Sequence, residues 1–190
     1  MGRPPSAPGP ATAGALRPAV APDRFRALMA TFPTGVAVVT AMAPGGPPHG
    51  MTCSSLSSVA VEPATLLVCI RRTSPTLAAV LDTSAFAVNL LHDRARSAAQ
   101  LFASGAADRF GRGRWTHEPG FAGPHLVDDT HAVADCRVAH SVVFGDHTVV
   151  FGEVFEVSPP PARPAGPLLY GLRRFWSLGP EPRPADPAHH

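Results

Sequence analysis

Six short apolar runs, rich in β-branched residues and bounded by Gly and Pro, constrain this chain more than any other feature. They are "GVAVVTAM" (35–42), "GMTCSSLSSVAV" (50–61), "ATLLVCI" (64–70), "AFAVNLL" (85–91) and two longer stretches at about 131–143 and 147–157. Runs of this length and composition predict strands. Several are apolar on both faces, as expected where one face fills a barrel and the other meets helices or a second subunit. Helices interrupt the pattern in three places. In "DRFRALMATFP" Asp23 is placed to cap a helix whose Phe25, Leu28, Met29 and Phe32 share one face before Pro33 stops it. "SPTLAAVLDT" sets Ser74 as N-cap and Pro75 at the first helical position. "RARSAAQLFAS" (94–104) is the third. Six or so strands with mostly antiparallel connections predict a mostly β chain, an antiparallel barrel with a few short helices.

At 190 residues and 19.8 kDa the chain suits one domain. The Pro-rich stretches 1–22 and 179–190 read as disordered tails, which leaves 23–178 as the folded part. The opening "MGRPPS" fits a myristoylation pattern but has no polybasic support, and we treat it as noise. A net charge of +2 spread without basic runs argues against nucleic acid or an anionic membrane as partner, and no apolar run reaches the length of a membrane span. All sixteen basic residues are Arg. The absence of Lys removes the P-loop, Schiff-base chemistry and Ser-Lys hydrolysis. Cys53, Cys69 and Cys136 are too far apart for a CxxC and read as reduced thiols of a cytoplasmic protein; the histidines show no metal-binding spacing.

The densest chemistry lies in "MTCSSLSSVAVEP", where Thr52, Ser54, Ser55, Ser57 and Ser58 supply hydroxyls beside backbone N–H groups, a cradle that holds an anion without Lys. "CIRRTSPT" follows with Arg71, Arg72 and a helix start at Ser74. The plain alternative is a solvated strand face and a surface arginine pair. "GRGRWT" (111–116) lacks the third Gly of a dinucleotide fingerprint and opens no helix, so a nicotinamide cofactor would not sit in a Rossmann crevice. In "SVVFGDHTVVFGEV" the Gly145-Asp146 pair suits a hairpin bend, whereas nothing about a bend requires the imidazole of His147.

In order along the chain, "FPTGVAVVTA", "GMTCSSLSSVAVEPATLLVCI" with "SPTLAAV", "FAVNLL", "DRFGRGRW", "GDHTVVFGEV" and "LLYGLRRFWSL" resemble the motifs of the flavin reductase family, whose fold is the FMN-binding split β-barrel, a Greek-key-like antiparallel barrel. The resemblance covers about 25–178. It departs from the family pattern at Ser54, Ala60 and Arg71, where Asn, Ser and Asn are usual.

The resemblance implies NAD(P)H-dependent reduction of FMN or FAD, with NADH favoured, and release of reduced flavin to a separate flavin-dependent monooxygenase. It implies a homodimer with flavin near the interface. It further implies that Thr34, Gly35, Val36, Thr52, Cys53, Ser54, Ser55, Ser57 and Ser58 line the isoalloxazine and ribityl chain, that Ser57, Ser74 and a nearby Arg hold the phosphate, and that Arg71 belongs to the cofactor-binding set. Arg109 and Phe110 would close over the flavin, and Tyr170 of the closing strand would join the cofactor-binding set. Gly145 would leave room for a planar ring, Asp146 would orient the imidazole, and His147 would position the nicotinamide. The competing readings are a split-barrel flavoprotein that retains FMN and acts directly on an organic substrate, a non-enzymatic flavin-binding module, and a structural barrel without cofactor.

Overall fold

The computed structural model describes residues 19–158 and 165–178; residues 1–18 of the expected tail 1–22, the expected tail 179–190 and most of the Pro-rich loop before residue 165 lie outside the described residues. A helix, α1 (Pro22–Ala30), precedes a two-residue strand β1 (Thr34–Gly35) and strands β2 (Ala37–Met42), β3 (Pro48–Cys53), β4 (Ser57–Val61) and β5 (Ala64–Arg71). Helix α2 (Pro75–Thr83), strand β6 (Ala85–Leu91) and helix α3 (Arg96–Ala103) follow. After a 3-10 turn at Arg109–Gly111 come β7 (Trp115–Thr116), β8 (His125–Leu126), the long hairpin β9 (Thr130–Phe144) and β10 (His147–Val157), and finally β11 (Leu168–Gly171) and β12 (Arg174–Ser177).

Seven strands form one antiparallel sheet in the order β3-β2-β6-β9-β10-β5-β4. The sheet curls until the segment after β3 meets β5, where the Ser55 hydroxyl donates to the Cys69 carbonyl and accepts from the Cys69 N–H, each at 3.1 Å. This contact closes the barrel. Inside it pack Val39, Ala41, Val68, Ile70, Phe86, Val88, Cys136 and Val150, with Leu77 and Val80 of α2 joining them. The opposite face of β2 and its lead-in, Val36 and Val38, packs against Leu91, Ala98, Ala99 and Phe102 under α3. Alternation therefore sends successive residues of 36–41 into two different cores, and the run is apolar on both faces for that reason. Thr40 and Asn89, buried in the same strands, bind the Pro124 carbonyl at 2.6 and 3.2 Å, and Asn89 accepts the Leu126 N–H at 2.8 Å. Two buried side chains thus hold the 121–126 loop on the sheet.

Three local expectations change. The run 50–61 is not one strand: it breaks at Ser54-Ser55-Leu56 because its halves pair on opposite ends of the curled sheet, β3 with β2 and β4 with β5. "LLYGLRRFWSL" is not a single closing strand but a hairpin, with Leu172 and Arg173 at φ of 51° and 60° in its two-residue bend, and β11 also pairs with β1. Asp23 is not the cap of α1. Pro22 takes the first helical position and Ala21 the cap, which puts Asp23 in the first turn. The apolar face of α1 is also left uncovered, with no residue of the helix buried.

Candidate active site

The break between β3 and β4 borders a groove of about 820 Å³. It is lined by Thr34, Ser54, Ser55, Leu56, Ser57 and Tyr170 together with Arg26, Met29 and Phe32 of the α1 region and Arg173 of the last hairpin. Ser54 and Tyr170 also border an adjoining hollow of about 420 Å³ formed by Val36, Thr52, Ala99, Gln100, Ser104 and Phe175. The two spaces share those walls and form one cleft. Its chemistry is mixed: hydroxyls at Thr34, Ser54 and Ser57, apolar surface at Leu56, Met29 and Phe32, and an aromatic pair, Tyr170 edge-on to Phe175 at 5.2 Å. Thr52 is committed inward, donating to the Ala99 carbonyl at 2.6 Å. Gly35 lies beside this cleft, in a smaller hollow that shares Val36 and Leu56.

A second cluster sits at the end of β5 and β10. His147 pairs in register with Arg71, and its Nδ1–H donates to Asp146 Oδ1 at 2.8 Å. That hydrogen bond first, and the imidazole's charge second, hold the Asp146 carboxyl below the usual carboxylate range, with Arg71 adding to the effect. Gly145, at φ 59°, turns the chain ahead of them, and the Asp146 carbonyl accepts from the Arg72 N–H at 3.0 Å. Cys69, which Ser55 grips, is two residues from Arg71, roughly 7 Å along the strand. The cleft and the His147 cluster are therefore neighbours across the seam of the barrel.

Other expected residues are placed elsewhere. Ser74 is the N-cap of α2 by position, yet its hydroxyl makes no cap bond and turns to Met51 Sδ at 3.7 Å. Cys53 is buried in the barrel core, its thiol pushed up by burial and 3.2 Å from the Ser55 hydroxyl. Ser58 is exposed on β4, and its carbonyl accepts from Ser57 Oγ at 3.2 Å. Arg109 and Phe110 lie on the far side of α3 from the cleft, beside a separate cavity of about 330 Å³. The Arg109 guanidinium donates to the Gly50 carbonyl at 2.7 Å and the Ala106 carbonyl at 2.8 Å, while Phe110 packs edge-on to Phe102 and Trp115. Their polar and aromatic surfaces are used in holding the 109–115 loop to β3.

Residues 29–179 match the family model described as flavin reductase like domain. The chain belongs to this family. It is 53% identical to a flavin reductase (NADPH) of Lentzea aerocolonigenes over 82% of this chain and 89% of the relative. It is 32% identical to the reductase subunit HsaB of a flavin-dependent monooxygenase from Mycobacterium tuberculosis, over 88% of this chain and 87% of that one. Among solved structures it resembles the NADH:FAD oxidoreductase of Streptomyces globisporus C-1027 in complex with NAD and FAD fragments, with a TM-score of 0.77 and 28% identity over 87% of this chain and 99% of that one. The mostly antiparallel architecture agrees with the split-barrel fold of such flavin reductases.

Sequence reading missed Arg26, Met29, Phe32, Gln100, Arg173 and Phe175 as walls of the cleft. One signal was present: a two-residue hairpin bend prefers Asn or Gly, and "GLRR" places Leu and Arg there instead.

Proposed function

We propose that this protein transfers hydride from NAD(P)H to flavin and delivers the reduced flavin to a separate monooxygenase. The observation that carries the reading is the placement of two polar-lined regions side by side: the cleft between residues 34–36, 54–57 and 170, and the Arg71–Asp146–His147 cluster. The residues suit a flavin. Leu56 and Tyr170 offer surface to a flat apolar ring, and the hydroxyls of Thr34, Ser54 and Ser57 suit a polyhydroxylated chain. Hydride donation and acceptance are supplied by the bound nicotinamide and flavin, so the protein's task is to bind, orient and cover them. No side-chain acid or base is required. Asp146 fixes the imidazole by accepting from Nδ1, which leaves Nε2 of His147 for a hydrogen bond to the nicotinamide dinucleotide. Thr52, whose hydroxyl is engaged inward, contributes backbone groups and shape to the cleft wall.

The relatives' names differ over NADPH and NADH; the sequence resemblance favours NADH, and FMN and FAD remain equal candidates. Anaerobic-controlled oxidation of NADH and of NADPH, each with FMN, FAD or no flavin, decides all of these together. Oxidation that requires added flavin is the expected result. Flavin bound without nicotinamide oxidation would overturn the reductase reading in favour of a binding module, and a tightly retained FMN would favour direct action on an organic substrate.

A homodimer belongs to the same proposal. It is supported by apolar side chains left outside the core, among them Val61 at 91% and Phe144 at 80% exposure, together with the uncovered face of α1. A cytoplasmic setting is supported by Cys53, Cys69 and Cys136 all being free thiols. Among the described residues no helix is long and apolar enough to cross a membrane, and no cluster of His, Cys, Asp and Glu is suited to a metal ion.

A further inference from the structure

We propose that the cavity on the far side of α3 is a second ligand site, suited to a small aromatic zwitterion of the size of an α-amino acid with an aromatic side chain. This site lies outside the flavin reductase reading and does not depend on it. The cavity holds about 330 Å³ and shares no lining residue with the cleft or the hollows that adjoin it. The two faces of α3 separate them: Ala99, Gln100 and Ser104 wall the cleft, whereas Ala98, Leu101 and Phe102 wall this cavity. Its floor is aromatic. Phe110 meets Phe102 edge-on at 5.1 Å and Trp115 edge-on at 5.6 Å, so the rings brace one another. Leu126, paired with Trp115 across β7 and β8, completes the apolar surface.

Charged groups of both signs line the same space. Asp129 is half-buried, and its carboxylate takes part in none of the hydrogen bonds or ion pairs formed among the described residues. It reaches the 109–115 loop, where a Cβ on Gly113 would lie 4.0 Å from Asp129 Oδ2. Burial pushes this carboxyl up, with the His92 imidazole opposing the effect and Asp128 adding to it. A carboxylate so placed gains from any ligand ammonium that reaches it. Arg109 is engaged by the Gly50 and Ala106 carbonyls, whereas Arg112 touches Asp108 through Nε alone, at 2.8 Å, which leaves its terminal N–H groups outside that contact. These charges select the occupant. A simple anion would meet the Asp129 carboxylate and a simple cation the guanidinium groups, whereas a dipolar molecule offers its ammonium to Asp129 and its carboxylate to Arg112. Volume narrows the choice further. Small-molecule sites run from roughly 300 to 1,000 Å³, and a cavity at the lower end has room for an amino acid rather than a dinucleotide.

The test is titration of the full chain with L-phenylalanine by calorimetry, with Trp115 emission followed in a Trp176→Phe background where it is the sole tryptophan. Saturable binding that changes Trp115 emission is the expected result. 3-Phenylpropionate, which lacks the ammonium, and phenethylamine, which lacks the carboxylate, should each bind about tenfold more weakly, the loss of one charge-assisted contact. This comparison uses the unaltered side chains of the cavity, so it stands whether or not a variant folds. Asp129→Asn should weaken L-phenylalanine about tenfold and leave 3-phenylpropionate unchanged. Arg112→Gln should weaken it similarly and leave phenethylamine unchanged, with cooperative thermal unfolding of both variants as the control. Absence of saturable binding, equal affinity for the three compounds, or uniform loss of all three in folded variants would overturn the site. Competitive displacement of L-phenylalanine by FMN would also overturn it, by placing the ligand in the flavin cleft; the reductase reading would survive each of these outcomes.

Discussion

His147 and Asp146 are joined at 2.8 Å on an exposed hairpin, and the consequence is confined to orientation. His147→Ala is therefore expected to raise KM for the nicotinamide about tenfold with little change in kcat, because positioning and not proton transfer is lost. A large fall in kcat at unchanged KM would contradict this. The same substitution should return the Asp146 carboxyl upward to the ordinary range, seen by NMR titration, since the imidazole is the largest cause of its depression. The sign for stability follows: a depressed carboxylate contributes stability present above the ordinary Asp value, lost as pH falls through the lowered one. Cys136 runs the other way. Burial pushes its thiol up to about 12, so its contribution is full below the ordinary thiol range and lost as pH rises from there toward that value. Native-state alkylation at neutral pH should accordingly reach Cys69, which is partly exposed, before the buried Cys53 and Cys136, with mass spectrometry of the labelled peptides as the measurement.

Two short elements decide how the barrel closes. The segment Ser54-Ser55-Leu56 carries the chain from β3 to β4, and Ser55 closes the seam through both backbone groups of Cys69. Because that contact is exposed to water, Ser55→Ala should cost only about 1 kcal/mol, measured as a fall in Tm, yet it loosens the wall between the cleft and the His147 cluster. Gly152 on β10 is less forgiving. A Cβ there would lie 2.4 Å from Cζ of the fully buried Phe86 and 3.0 Å from Cβ of Cys136. Gly152→Ala should destabilise by about 1–3 kcal/mol in denaturant unfolding, the cost of overpacking a closed core. The β11–β12 bend stores a smaller strain, with Leu172 and Arg173 both left-handed at about 1–2 kcal/mol per residue. It is retained where one of the two side chains lines the groove.

At the scale of the whole molecule, the exposed outer strand β4, the far half of β9 and the α1 face lie outside both cores. Light scattering is expected to give twice the 19.8 kDa chain mass, and Val61→Asp together with Phe144→Asp to shift it toward the monomer. By itself the sequence determined the order of the main strand runs, the placement of α2 behind Ser74-Pro75, the Gly145 bend and the resemblance to flavin reductases. Each of these depends on residues within a few positions: period-2 apolar runs, turn formers and a proline that can only begin a helix. It also located Thr34, Val36, Thr52, Ser54, Ser55, Ser57 and Tyr170, which the fold gathers around one cleft. Only the tertiary structure decided that the 50–61 run breaks, that Arg109 and Phe110 are spent on internal contacts, and that Arg26 and Arg173 line the same groove. Closure of a curled sheet brings together residues from opposite ends of the chain, and no local pattern records which of two equally polar side chains will find a partner inside and which will be left facing the groove.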